Sequence, residues 1–245
     1  FPDGTQVALP KAVRDYDAVQ ASFNKRMSDN WALRVSYLWS RLHGNYTGLA
    51  QGDENGRTAP NVGRNYDYPL VSFNERGEAN LGPLPTDRPH QFKTQLVYDF
   101  PFGLSTGVVG YLASGTPISR LATFLPPNNF PIQYLGRGSD GRTDTFSQLD
   151  LNLMQEFKLG GNKRLQVMAN VLNLLDQQAA VNQFSAELEA NGVSIDEDSF
   201  YRGIDTQALI NAQGLVRDPR FLKDSQFQSP REIRLGDGVV FSFVV

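Results

Sequence analysis

Only two histidines, His43 and His90, stand in this chain of 245 residues, and it contains no cysteine. A Ser-His-Asp or Cys-His arrangement therefore has little material to draw on. His90 follows Asp87-Arg88-Pro89 at the start of a strand-like segment. There it reads as a rim residue held by local hydrogen bonds, in preference to a catalytic base. The carboxylates of Asp53-Glu54-Asn55-Gly56 and of Asp196-Glu197-Asp198 could offer hard oxygens to a cation. Neither group has the spacing of a calcium loop, and a solvated loop is the simpler reading. Gly136-Arg137-Gly138-Ser139-Asp140-Gly141 is glycine-rich, but no helical pattern follows it, so a phosphate cradle is not expected. Asn170, Asn173 and Asp176 straddle the exit of a strand, where short polar side chains serve turns and rim hydrogen bonds. No catalytic residue, metal or cofactor is expected, and an enzyme ranks last because no convergent acid, base or nucleophile is visible.

A second set of candidates is aromatic. Tyr46, Tyr66, Tyr68, Phe124 and Tyr134, with Phe73 and Phe130, fall in long connecting segments. Such rings could stack on a sugar, a peptide or a chelate. Surface loops carry them for other reasons too, and the sequence does not name a ligand.

The elements that must position these residues are β-like. Seven segments stand out, at 13–27, 30–43, 90–101, 104–117, 145–158, 163–175 and 231–245. The joints after the first, third and fifth are brief: Ser28-Asp29-Asn30, Pro101-Phe102-Gly103 and Gly160-Gly161-Asn162. Those after the second, fourth and sixth are long and rich in Gly, Asn, Asp and Pro, and read as irregular apart from a short helix over Gln183–Ala190. Within the segments, apolar residues recur at every second position. Trp31, Leu33, Val35, Tyr37 and Trp39 face one way, with Arg34 and Ser36 on the other. Phe92, Leu96, Tyr98 and Phe100 oppose Gln91, Lys93, Gln95 and Asp99, and Leu149, Leu151, Leu153 and Phe157 oppose Asp150, Asn152, Glu156 and Lys158. The glycine-rich fourth segment leaves its faces unassigned.

Two architectures share this pattern. In a β-sandwich the apolar face lines a core and the polar face meets water. In a transmembrane barrel the apolar face meets lipid and the polar face lines a wet lumen. Segments of 10–15 residues exceed the ~5–6 of a typical globular strand and suit a tilted membrane crossing. Aromatic residues at strand ends fit an interfacial girdle, and loops above ~15 residues are rare in compact domains. These features favour an all-β, antiparallel up-and-down meander forming part of a transmembrane β-barrel, with short periplasmic turns and long extracellular loops. A net charge of −3, with no basic run, speaks against nucleic acid as a partner. The odd strand number and the abrupt start at Phe1 favour a fragment of a larger barrel, residues 1–245 being its last strands without a plug.

Several motifs occur in a shared order. They are Leu84-Pro85-Thr86-Asp87-Arg88-Pro89-His90-Gln91-Phe92-Lys93, Tyr98-Asp99-Phe100-Pro101-Phe102-Gly103-Leu104, Ser114-Gly115-Thr116-Pro117 and Arg142-Thr143-Asp144. After them come Gln148-Leu149-Asp150-Leu151, Asn170-Val171-Leu172-Asn173-Leu174-Leu175-Asp176 and Gln228-Ser229-Pro230-Arg231-Glu232-Ile233-Arg234-Leu235-Gly236. Together they resemble the C-terminal barrel portion of TonB-dependent outer-membrane receptors. The likeness is strongest to the Oar-like group, whose N-terminus carries a carboxypeptidase-regulatory-like domain. The resemblance implies a 22-stranded wall in the outer membrane around an N-terminal plug, importing scarce nutrients with energy passed through TonB. It gives Asp87, Arg88, Pro89, His90, Asn170, Asn173 and Asp176 structural roles in the wall. It also implies partners in outer-membrane lipid, plug, TonB and the barrel assembly machinery. The assembly signal of such proteins commonly ends on an aromatic residue; here Phe243 stands two places before the end. A passive or structural barrel, an adhesin, or a soluble sandwich that binds a partner are the alternatives.

Overall fold

The computed structural model describes residues 10–46, 73–125, 131–160, 163–189 and 192–241, with Gly4 and Gln6. In chain order the elements begin with β1 (Arg14–Ser28), β2 (Trp31–Gly44), β3 (Gly82–Pro83), β4 (His90–Asp99) and β5 (Leu104–Ala113). Next come β6 (Ala122–Leu125), β7 (Pro131–Ile132), β8 (Phe146–Gly160), β9 (Lys163–Leu172) and β10 (Ala180–Gln183). The last are β11 (Val193–Ser194), α1 (Glu197–Arg202), α2 (Thr206–Ala212), β12 (Asp224–Phe227) and β13 (Glu232–Phe241).

Seven long strands form one antiparallel meander in the order β1-β2-β4-β5-β8-β9-β13, with β3 added beside β2. All seven lie where the alternation places them. The first hairpin closes on Asp29 and Asn30, both with positive φ. That is the backbone of a tight turn whose twist matches its strands, and Asp and Asn tolerate it better than branched residues do. The first and third hairpins carry a register shift just inside the turn, between Lys25 and Ser28 and between Lys158 and Gly160, and successive turns are displaced along the strand direction. The rung that ends β2 at Trp31 runs through Tyr98, Thr106, Leu153 and Ala169 to Leu235. In β8 the same rung is well above the turn, with Gln155 and Phe157 still to come. A stagger of this kind is what a tilted barrel wall requires.

Pairing fixes the two faces. Leu33, Leu96, Val108, Leu151, Val171 and Ile233 form one continuous apolar rung. Two rungs above, Val35 lies beside Thr94, Gly110 and Leu149. The opposite face carries Ser36, Lys93, Tyr111 and Gln148 on one rung and Asn152, Asn170 and Arg234 on another. Strand β5, whose faces the sequence leaves open, thus turns Leu104, Thr106, Val108 and Leu112 to the apolar side. Gln155 and Asp237 interrupt that side from either flank of Val167.

Among the described residues the apolar face has no second sheet against it. Val19 is 66% exposed and Leu235 is 80% exposed. The buried core lies elsewhere, among the long connections: Phe73, Phe124, Ile132, Tyr134, Val193, Phe200 and Ile210. A sandwich requires the reverse, because its apolar sheet face is its core.

All three long connections leave from the same rim, and their described residues are not irregular. They fold together into a loop layer. In it β11 runs parallel to β6, β7 pairs with β6, and β10 pairs with β12. The expected helix over Gln183–Ala190 is not formed. Gln183 ends β10, and Ala186 and Leu188 make isolated bridges to Leu121 and Arg217. Pairing with residues distant in the chain wins there over local helix propensity. The helices fall instead at α1 and α2, each started by an aspartate. Asp196 accepts from the Ser199 N–H and Asp205 from the Ala208 N–H, satisfying donors that a first turn leaves free.

Candidate ligand-facing rim

The residues quoted for the family motif converge at the long-loop rim. Asp87 is 3% exposed and accepts from the backbone N–H of Leu42 at 2.7 Å. Its second oxygen pairs with Arg142. Arg142 also donates to the carbonyls of Asp87 and Gly115, at 2.9 and 3.0 Å. One ion pair therefore clasps the top of β2, the approach to β4, the exit of β5 and the approach to β8. Arg88 tightens it by donating to the Ser114 carbonyl at 2.6 Å, and Ser40 Oγ donates to the Arg88 carbonyl. The Pro89 carbonyl accepts from Ser40 N at 3.0 Å, the one backbone role left to a residue without an N–H. Gly115 is needed because a Cβ there would lie 1.8 Å from the Thr143 carbonyl oxygen.

His90 sits on the apolar side of the same rim. Its Nδ1 is hydrogen-bonded to the Tyr37 hydroxyl at 2.8 Å, and the rings stack at 6.2 Å. Trp39 and Phe92 flank this pair in the register. At the other rim Tyr98, Phe100 and Phe102 form a ring series with centroids 4.6 and 5.3 Å apart, and Lys25 Nζ lies 4.0 Å over Trp31. From Trp31 to Trp39 the strand rises about 26 Å at ~3.3 Å per residue, or roughly 20 Å along the normal of a wall tilted by ~40°. The two aromatic belts thus bracket a band close to the ~25 Å of an outer-membrane barrel.

A second anchor holds the third connection. Asn173, with positive φ, donates its backbone N–H to Asp150 Oδ1 and its Nδ2 to the carbonyls of Gln177 and Ser229. Asp176 accepts from the Arg231 N–H. Asn170 lies one rung into the wall, where its Oδ1 accepts from Asn152. Both ends of the connection are thereby tied to the tops of β8, β9 and β13.

The aromatic candidates separate. Phe124 is 0% and Tyr134 3% exposed, so both rings belong to the loop core and not to its surface. Tyr46 is half-buried just beyond β2. Tyr66, Tyr68 and Phe130 lie outside the described residues, as do Asp53–Gly56 and Phe243. Asp196-Glu197-Asp198 forms the first turn of α1, where negative charge suits the helix start. Between α1 and α2 runs a groove of about 690 Å³, floored by Ile195, Ile204 and Leu209 with Asp196 and Asp205 at its lip.

Sequence reasoning missed the charged centre of the loop layer. Glu187 is fully buried, accepts from the Tyr134 hydroxyl and pairs with Arg217 at 2.7 Å. Arg120 stands 3.7 Å from it and binds Asp140 at 2.8 Å. Burial, with the bond to Glu187, raises the Tyr134 phenol well above its ordinary value. No spacing in the chain announces this cluster, since its members come from two different connections. The start of α1 did carry a signal, a capping aspartate three residues before a serine.

A family described as outer membrane beta barrel domain matches residues 3–134. The chain is 32% identical over 177 residues to the TonB-dependent transporter Oar of Myxococcus xanthus, a match covering 69% of this chain and 16% of that protein. No solved structure matches the chain.

Proposed function

Because this chain belongs to the outer-membrane β-barrel domain family, we propose that it is a wall segment of a TonB-dependent receptor that takes up a scarce nutrient with energy from the inner membrane. The carrying observation is the asymmetry of the two rims: bare turns at one, and a folded, aspartate-clasped loop layer at the other. In this reading the loop layer is extracellular and captures ligand, and the turns and the end of β13 are periplasmic. The apolar face meets lipid, where each large side chain kept from water contributes about 1.5–3 kcal/mol. The polar face looks into the lumen. The free edges of β1 and β13 continue into further strands of a larger wall, since unpaired long edges invite aggregation. A plug in the lumen and TonB below it complete the machine, as kinship with a transporter suggests. The wall by itself binds and guides, and its residues carry no chemical step.

The test uses the receptor in its host, with any cysteine elsewhere in the receptor first replaced, since these 245 residues contain none. A membrane-impermeant maleimide added to whole cells labels Glu189→Cys in the loop layer and spares Asp29→Cys in the first turn. Labelling of Asp29→Cys alone would invert the orientation. Uptake that persists after TonB is removed would reduce the protein to a passive barrel.

A further inference from the structure

Where β1, β2 and β4 meet the loop layer, the polar face is cationic. Arg14, Tyr16, Ser40, Leu42 and Gln91 share that face by register and, with Arg88, line a cavity of about 350 Å³. Two rungs below Gln91, Lys93 lies on the same face with Nζ 5.5 Å from the Tyr111 ring centre. Asp87 also borders the cavity, but its charge is taken up by Arg142 and by the Leu42 N–H. Asp15 and Asp17 pair with His43 and Arg41, which the alternation turns to the opposite face. Arg14 and Lys93 enter no ion pair among the described residues, and Arg88 spends one nitrogen on the Ser114 carbonyl. The cavity thus holds two guanidinium groups with donors to spare and no free carboxylate, in a chain whose net charge is negative.

We propose that this cavity binds a small multivalent anion, one bearing two or more carboxylate or phosphate groups, between Arg14 and Arg88 at the mouth of the lumen. Planar guanidinium forks match such oxygens two at a time, and the bonds are about twice as strong as neutral ones. Tyr16 and Gln91 add neutral donors at the edge. Lys93 carries the positive field two rungs inward, so an anion released from the two arginines moves down the wall and not back over it. The inference rests on the ligand-capture reading above, and it names the ligand class.

Equilibrium binding to the purified full-length receptor tests it, because binding needs neither TonB nor an energised membrane. Citrate and pyrophosphate serve as carboxylate and phosphate probes, with maltotriose as a neutral one. At least one anion should bind, more weakly as salt rises, and maltotriose should not compete. Arg14→Gln should weaken anion binding about tenfold, and Arg14→Lys, which keeps the charge but not the fork, should restore only part of it. Arg14 is exposed at the loop-side end of β1, so these variants keep the wall intact; Arg88→Gln is read alongside a check of folding. Anion affinity unchanged in Arg14→Gln, or anions bound no better than maltotriose, overturns the proposal. Anion binding without TonB-driven uptake would uphold this site and sink the transport reading instead.

Discussion

At the residue scale the rim depends on a few side chains that each satisfy several backbone groups. Asp87 is the clearest case, since it neutralises Arg142 and caps the Leu42 N–H at once. Its carboxylate is buried while Arg142 is about one-third exposed, so solvent screens part of the attraction. Removing one partner of such a pair leaves the other uncompensated. Asp87→Ala should therefore cost about 2–3 kcal/mol, below the ~3–5 of a fully buried pair. The readout is the temperature at which the detergent-purified barrel loses its heat-modifiable compact form. A shift no larger than that of an exposed control such as Asp15→Ala would show the clasp to be incidental.

At the scale of elements, pairing within the second and third connections builds the loop layer, and contacts between the two connections join its charged centre. Tyr134 follows β7, and Glu187 lies between β10 and β11. Tyr134→Phe deletes a donor to a buried carboxylate and should cost about 1–3 kcal/mol. It also has a pH signature. The phenol is raised above its unfolded value of 10.0 by burial first and by Glu187 second. Stability from the neutral phenol is thus complete below about pH 10 and is lost as pH climbs through the folded value. Amide exchange in β6 and β11 should speed up under strongly alkaline conditions in the native chain. In Tyr134→Phe it should already be faster at neutral pH and lack that added alkaline step. Equal alkaline steps in both would mean that another group controls the layer.

For the whole molecule, the decisive property is which face meets lipid. Leu151 and Asn152 are neighbours in β8 and point to opposite faces. An arginine on the lipid face near the membrane centre costs about 2–4 kcal/mol, whereas one in a wet lumen is tolerated. Leu151→Arg should sharply reduce the folded fraction recovered in lipid vesicles, and Asn152→Arg should leave it close to native. The opposite order would turn the sheet inside out.

The strands, their turns and most of their faces were legible in the chain. Each depends on local facts: a period of two, a turn that tolerates positive φ, an aromatic at a strand end. Strand length, aromatic strand ends and long loops favoured a barrel over a sandwich, and the family match bears the barrel out. The faces of β5 were not legible, because glycines at 107 and 110 carry no side chain to vote, and pairing with β4 and β8 assigned them. Nor was the loop layer. Its core and charged centre join residues from separate connections, as does the clasp, where Asp87 and Arg142 stand 55 positions apart. Alternation reports only which side of its own strand a residue takes. Which distant groups share a rim depends on the stagger of the wall, and that exists only after the strands have paired.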